Sequence, residues 1–221
     1  MPTSTPVPPV EKKHRPRRGP GRPARHTIEG EPHMREQVLR EARRLFLQRG
    51  YAGVAVGQVA AAVGVTKPTL YYYFTDKEGL YAAMLCDLLR LIGGYLREVL
   101  GNESLSVRQR LCELAFGYFR YADATLEPVL RDTNELIGAQ HARAVWEAYE
   151  EEFFGPMRKF MRAGMRTGEL REIDPDVLVR AFLSLLDGFT APGGHAMRDD
   201  AEHRRIAEMT VTLFADGAAP R

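Results

Sequence analysis

Residues 56–77 read VGQVAAAVGVTKPTLYYYFTDK, and the reading of the whole chain works outward from them. Val56, Val59, Ala60 and Val63 recur at helical spacing and give a short helix over 56–63 one apolar face. Gly64 interrupts it, because only glycine takes a left-handed conformation without strain. Thr66 is placed to cap a following helix, its hydroxyl accepting a backbone N–H. Pro68 is tolerated in the first turn, where its missing N–H would have had no partner. Leu70 and Phe74, four apart, face the core, which leaves Lys67, Pro68, Thr69, Tyr71, Tyr72 and Tyr73 around the remaining surface. Two short helices joined by a tight glycine turn form a helix-turn-helix, whose second helix fits the major groove of DNA.

Upstream, Val38, Leu39, Ala42, Leu45 and Phe46 form a helical stripe over 32–49, with arginines largely outside it, Pro32 at its start and Gly50 at its end. This predicts a first helix that packs on the other two. The three tyrosines cannot all be buried. An exposed tyrosine packs its ring on a thymine methyl or offers its hydroxyl to a phosphate; the competing reading has them close the core against the next helix. Thr75 or Asp76 caps a fourth helix, with Lys77 at its start, where a phosphate is favoured.

The segment from Ala42 to Leu80, with Phe46, Gly50-Tyr51, Val59-Ala60, Gly64-Val65, Leu70-Tyr71, Tyr73-Phe74 and Lys77-Glu78 in order, resembles the DNA-binding domain of TetR-family (TetR/AcrR-like) transcriptional regulators. The resemblance implies that Lys67, Pro68, Thr69 and Tyr71 approach base edges, and that Thr66, Tyr72, Tyr73 and Lys77 hold phosphates. It also implies a homodimer built from the last two long helices, and a small effector held among the C-terminal helices. Two departures stand out: Val54 and Ala55 occupy positions where the family has Thr or Ser, and Gly57 stands where a polar residue is frequent.

Charge is unevenly distributed. Residues 1–28 hold seven Lys and Arg against Glu11 alone, a net +6, so the other 193 residues carry −4 of the overall +2. The same stretch holds seven of the fourteen prolines, too little apolar surface to offset the entropy of ordering, and reads as a disordered arm. Gly21-Arg22-Pro23, with Arg25 nearby, resembles an AT-hook suited to a narrow minor groove. Pro20 stands where such a hook has Arg, so a minor-groove hook and a solvated basic linker are both open readings. The expected organisation is an arm over 1–30, a helix-turn-helix domain over 31–80, a C-terminal ligand-binding and dimerisation domain over 81–216, and a tail over 217–221.

From Leu80 onward the pattern is helical to the end, so the fold class is all-α, with about nine helices. Ser106 and Gln109 form a capping-box pattern for the fifth. A sixth covers about 127–137, and a seventh about 142–165, disturbed at Gly155-Pro156. Asp174-Pro175-Asp176 starts the eighth. Its apolar arc, with that of the ninth, is wide enough for either a dimer interface or a deeper place in the core. Phe116, Tyr118, Phe119, Trp146, Tyr149, Phe153 and Phe182 are candidate pocket residues for an apolar or aromatic effector, with Arg131, Asn134 and His141 as polar handles; ordinary core is the competing reading.

No nucleophile elbow, phosphate loop, His-Glu-x-x-His or paired-cysteine site occurs, so neither an enzyme nor a resident metal or cofactor is expected, and His195 and His203 read as surface residues. Cys86 and Cys112 read as separate buried thiols in a reducing compartment. Without a signal-like or membrane-spanning run the expected location is cytoplasmic, and the expected partners are double-stranded DNA, a second copy and an effector. The alternative function is an architectural, A·T-preferring DNA-binding protein with no effector.

Overall fold

The computed structural model describes residues 31–120, 133–190 and 199–218. The basic arm with Arg22 and Arg25, and also Arg131 and His195, lie outside them, as does the side chain of Asn134. Every regular element among the described residues is a helix. In order these are α1 (Glu31–Arg49), α2 (Val56–Val63), α3 (Lys67–Tyr73), α4 (Lys77–Leu100), α5 (Val107–Arg120), α6 (Thr133–Leu136) and α7 (Ala139–Tyr149). A π-helical turn (Glu150–Phe154) follows, then α8 (Gly155–Arg166), α9 (Pro175–Thr190) and α10 (Asp200–Ala218).

Two apolar clusters organise these helices. The first joins Val38, Leu39, Ala42, Leu45 and Phe46 of α1 to Val56, Val59 and Ala60 of α2, Leu70 of α3 and the first half of α4. Ile137, Ala142 and Val145 complete it, and α7 packs on α4, the helix that follows the helix-turn-helix. The second cluster joins Leu96 at the far end of α4 to Leu111, Leu114 and Phe119 of α5, Met157 and Met161 of α8, Phe182 and Leu186 of α9, and Val211 and Phe214 of α10. α4 is therefore shared by both. It is long and apolar enough to cross a membrane by composition, but most of its apolar residues pack into these two clusters, Leu91 remaining exposed.

Local sequence accounts for the helix boundaries. Ser106 Oγ accepts the Gln109 N–H at 3.2 Å while Gln109 Oε1 accepts the Ser106 N–H at 2.9 Å, the reciprocal cap expected of that spacing. Asp174 accepts the Asp176 N–H at 2.8 Å and starts α9. The disturbance at Gly155-Pro156 takes the form of the π-turn. Proline has no N–H, and its ring collides with the carbonyl four residues back; the Gly155 N–H reaches back five residues to the Glu150 carbonyl, and the flanking backbone stays helical. Gly93 of α4 seats this turn. A Cβ at Gly93 would lie 2.8 Å from the Glu152 carbonyl oxygen, so the two backbones approach to a distance no side chain permits. Arg97, one turn further on, pairs with the Glu152 carboxylate at 2.6 Å.

The wide apolar arcs of the last two helices divide. On α9, Leu178, Val179, Phe182 and Leu186 are buried, whereas Val177 and Leu185 face outward. On α10, Ile206, Ala207, Val211 and Phe214 are buried, and Met209 and Leu213 are not. Cys86 and Cys112 are free and partly buried; burial pushes both thiols up, away from the reactive thiolate.

Candidate DNA-binding interface

Gly64 ends α2 at φ 78°, in the left-handed region, and its N–H and that of Val65 close onto the Ala61 and Ala60 carbonyls at 3.2 and 2.9 Å. This is the glycine C-terminal closure that turns the chain sharply. No atom lies near a Cβ at Gly64, so the strain of a substitution there is purely torsional. Gly64→Ala is expected to cost roughly 1–2 kcal/mol, read as a lowered denaturation midpoint, with DNA affinity falling because α3 loses its fixed angle to α2. An unchanged midpoint would show that the turn relaxes freely.

Thr66 caps α3. Its Oγ1 accepts the Thr69 N–H at 3.3 Å, and the two threonine hydroxyls share a hydrogen bond of 2.8 Å. Pro68 sits in the first turn as the sequence requires. Leu70 and Phe74 are buried, and Lys67, Pro68, Thr69, Tyr71 and Tyr72 are exposed, Tyr72 to 75%. Tyr73 behaves differently from its neighbours. It is partly buried against the first cluster, with its ring 5.3 Å from that of Tyr72 and edge-on to it. The tyrosine run thus divides between a core-facing member and two solvent-facing members.

Lys77 opens α4, capped by Asp76, which accepts the Gly79 N–H at 2.7 Å. Its ammonium lies 4.3 Å from the centre of the Tyr51 ring, a cation–π contact that fixes an otherwise mobile side chain. Burial, then the nearby carboxylates of Glu78 and Asp76, push the Tyr51 hydroxyl up. Tyr51 was not singled out from sequence as a site residue; the Gly50-Tyr51 pair beside the end of α1 was its only signal. On α1, Arg44 pairs with Glu41 at 2.9 Å and Arg43 approaches Asp87 at 3.9 Å. The positive face of this helix is therefore partly neutralised, while Arg40 and Arg35 are exposed, Arg35 over the Phe74 ring at 5.6 Å.

The start of α2 lacks a side-chain cap, as Val54 and Ala55 imply. Val54 is buried instead, and Gln58 supplies half a capping box, its Oε1 accepting the Ala55 N–H at 2.9 Å. Two polar contacts, invisible in the sequence, join this unit to the rest. Glu78 accepts the Gly138 N–H, at the cap of α7, at 2.8 Å, and His141 Nε2 lies 3.9 Å from Asp76. His141 thus belongs to the joint between α4 and α7.

Of the seven aromatic pocket candidates, Phe119 and Phe182 are fully buried in the second cluster, and Phe116, Tyr118, Tyr149 and Phe153 are packed at its edge. Trp146 is 37% exposed, edge-on to Tyr149 at 5.7 Å. None of the seven lines the open groove of about 510 Å³ formed by Arg162, Met165, Arg166, Glu172, Ile173 and Asp174. Among the described residues, no three His, Cys, Asp or Glu side chains gather as a metal site. His203 is partly buried, 3.7 Å from Asp200.

Residues 38–84 match the profile of the family described as bacterial regulatory proteins, tetR family. The HTH-type transcriptional repressor KstR2 of Rhodococcus jostii is 26% identical over 86% of this chain and 93% of its own length. A transcriptional regulator of the TetR/AcrR family from Thermobifida fusca shares the fold with a TM-score of 0.63 at 22% identity, over 84% of this chain and 98% of its own. FadR of Bacillus subtilis, solved in complex with stearoyl-CoA, superposes with a TM-score of 0.63 at 17% identity, over 82% and 98%. Residues 38–84 therefore form a helix-turn-helix DNA-binding domain of the tetR family type, and the all-helical fold around it is the one found in TetR-family transcriptional regulators.

Proposed function

We propose that this regulator is a homodimeric repressor that occupies a palindromic operator and is released by a small apolar effector. In this reading residues 31–80 contact DNA and residues 81–216 bind the effector and the second subunit. The observation that carries it is the pair of exposed faces on one chain. One is the reading surface of α3. The other is the set of apolar side chains on α9 and α10, where Val177, Leu185, Met209 and Leu213 are 54%, 37%, 40% and 63% exposed. An apolar face of this kind marks an interface, and a twofold pair of recognition helices matches a palindrome.

Lys67, Pro68, Thr69 and Tyr71 are assigned by the resemblance to base edges, and Thr66, Tyr72, Tyr73 and Lys77 to the backbone. Tyr71 and Tyr72 have the exposure that contact requires, and Lys77 has its ammonium held in place by Tyr51. Repression needs only occupancy of a promoter, and KstR2 bears that designation. The acyl chain in the FadR complex supports an apolar effector here, drawn to the aromatic edge of Phe116, Tyr118, Tyr149 and Phe153. Such a ligand would act on DNA binding through the Glu78–Gly138 and His141–Asp76 joint, because α7 touches α4 next to Lys77.

The test is to select duplexes from a random-sequence library with the full chain, footprint the selected site, and record native mass spectra of the purified protein. Two inverted half-sites, a twofold footprint and a bound small apolar molecule are expected. Tyr71→Ala should alter discrimination among sites by about 1–3 kcal/mol, and Lys77→Ala should weaken all duplexes alike. Binding that follows only A·T content, without half-sites, would overturn the proposal in favour of an architectural role.

A further inference from the structure

Lys67 is the first residue of α3, and its side chain does not project along the axis of that helix. It folds back across the start of α2. A Cβ built on Gly57 would meet Lys67 Cε at 2.5 Å, Nζ at 3.3 Å and Cδ at 3.7 Å. The last three heavy atoms of the lysine therefore occupy the space that any side chain at position 57 would fill. Gly57 lies in the first turn of α2, and the first helix of a helix-turn-helix crosses the sugar-phosphate backbone while the second lies in the groove. The fold-back places the lysine Nζ over the element that meets phosphates, and away from the base edges that the exposed Pro68, Thr69 and Tyr71 of α3 approach.

We propose that Lys67 is a phosphate clamp acting from the surface of α2, and that Gly57 is the residue that gives it this role. This rests on the DNA-binding surface assigned above and sharpens it. The first position of α3 contributes affinity without sequence information, so specificity falls on Pro68, Thr69 and Tyr71. It also gives the glycine at position 57 a purpose. A polar side chain there would supply a backbone contact of its own; here the contact comes from the neighbouring helix, and the empty Cβ position is what admits it.

The experiment measures affinity of the full chain against salt concentration, on a short duplex selected from a random library and on a scrambled duplex of the same composition. The proteins are the wild type, Lys67→Ala, Gly57→Ala and the double variant. Lys67→Ala is expected to weaken both duplexes by the same factor, roughly three- to fivefold. It should also reduce the slope of log affinity on log salt by about 0.9, the signature of one lost phosphate contact. Gly57→Ala, which forces the lysine stem aside, is expected to reproduce that loss and to change nothing further in the Lys67→Ala background. Equal denaturation midpoints would confirm that α2 stays folded, and Lys67→Arg, which keeps the charge, should retain most of the slope.

A Lys67→Ala change in discrimination between the two duplexes at unaltered slope would overturn the proposal, as would additive losses in the double variant. Selection of no preferred duplex by the wild type would count against the operator reading instead, since the loss of salt slope in Lys67→Ala can still be read on a duplex of arbitrary sequence.

Discussion

Replacing Val177 and Leu213 by Asp is expected to convert the protein to a monomer and to lower affinity for the selected operator by about 10²- to 10⁴-fold, the range lost when two linked binding units act singly. These residues are 54% and 63% exposed, so the substitutions add no cavity and bury no charge within one subunit. In a twofold interface each new carboxylate comes close to the partner's copy of the same surface, and like charges in a drying apolar seam are strongly unfavourable. The small exposed residues beside them, Ala181, Ser184 and Gly188 on α9, leave room for two helices to approach closely. Sedimentation should show the halved mass, and circular dichroism an unchanged helix content. A variant that keeps the mass and the affinity of the wild type would remove α9 and α10 as the dimer interface.

Phe182→Ala is the second large effect, and it divides core from pocket. Phe182 is 1% exposed, its ring lies 5.1 Å from that of Phe214, and it belongs to the cluster that ties α5, α8, α9 and α10 together. Truncation removes an aromatic from a site with no access to solvent, and the expected cost is about 3–5 kcal/mol, measured by denaturant unfolding. Trp146→Ala, at a position 37% exposed, should cost less than about 1 kcal/mol by the same measure. If Trp146 contacts an effector, the release of DNA by that effector should change without any loss of fold. A small effect at Phe182 would show that its surroundings already contain the space a ligand needs, and would return it to the pocket.

The reading helix was legible because each of its residues answers a local requirement. Thr66 caps, Pro68 fits a first turn, Gly64 takes the left-handed bend, and Leu70 and Phe74 repeat at a helical interval; each is settled within a few residues. The capping pattern of Ser106 and Gln109 was legible for the same reason. What the sequence left open concerns distance in the chain. The Gly57–Lys67 contact joins two helices, the Tyr51–Lys77 contact joins residues on either side of the motif, and the Glu78–Gly138 bond spans 60 positions. No local pattern encodes such pairings, because both partners are ordinary surface residues until the fold brings them together. The division of the α9 and α10 arcs was half legible: periodicity showed that apolar residues went most of the way round, and only packing showed which of them remain outside.

The π-turn at Glu150–Phe154 has a consequence for how the long helical stretch serves two clusters. In an uninterrupted α-helix, residues nine apart point about 180° away from each other. Val145 and Phe154 stand in that relation, yet both are buried against the body of the protein, one in each cluster. The wide turn holds one residue more than the α-helical turn it replaces, and so sets the apolar stripe of α8 back in phase with that of α7. Glu150–Phe154 works as a phase corrector: one surplus residue, stored where Gly93 leaves space for it, keeps a single helix facing inward along two differently placed cores.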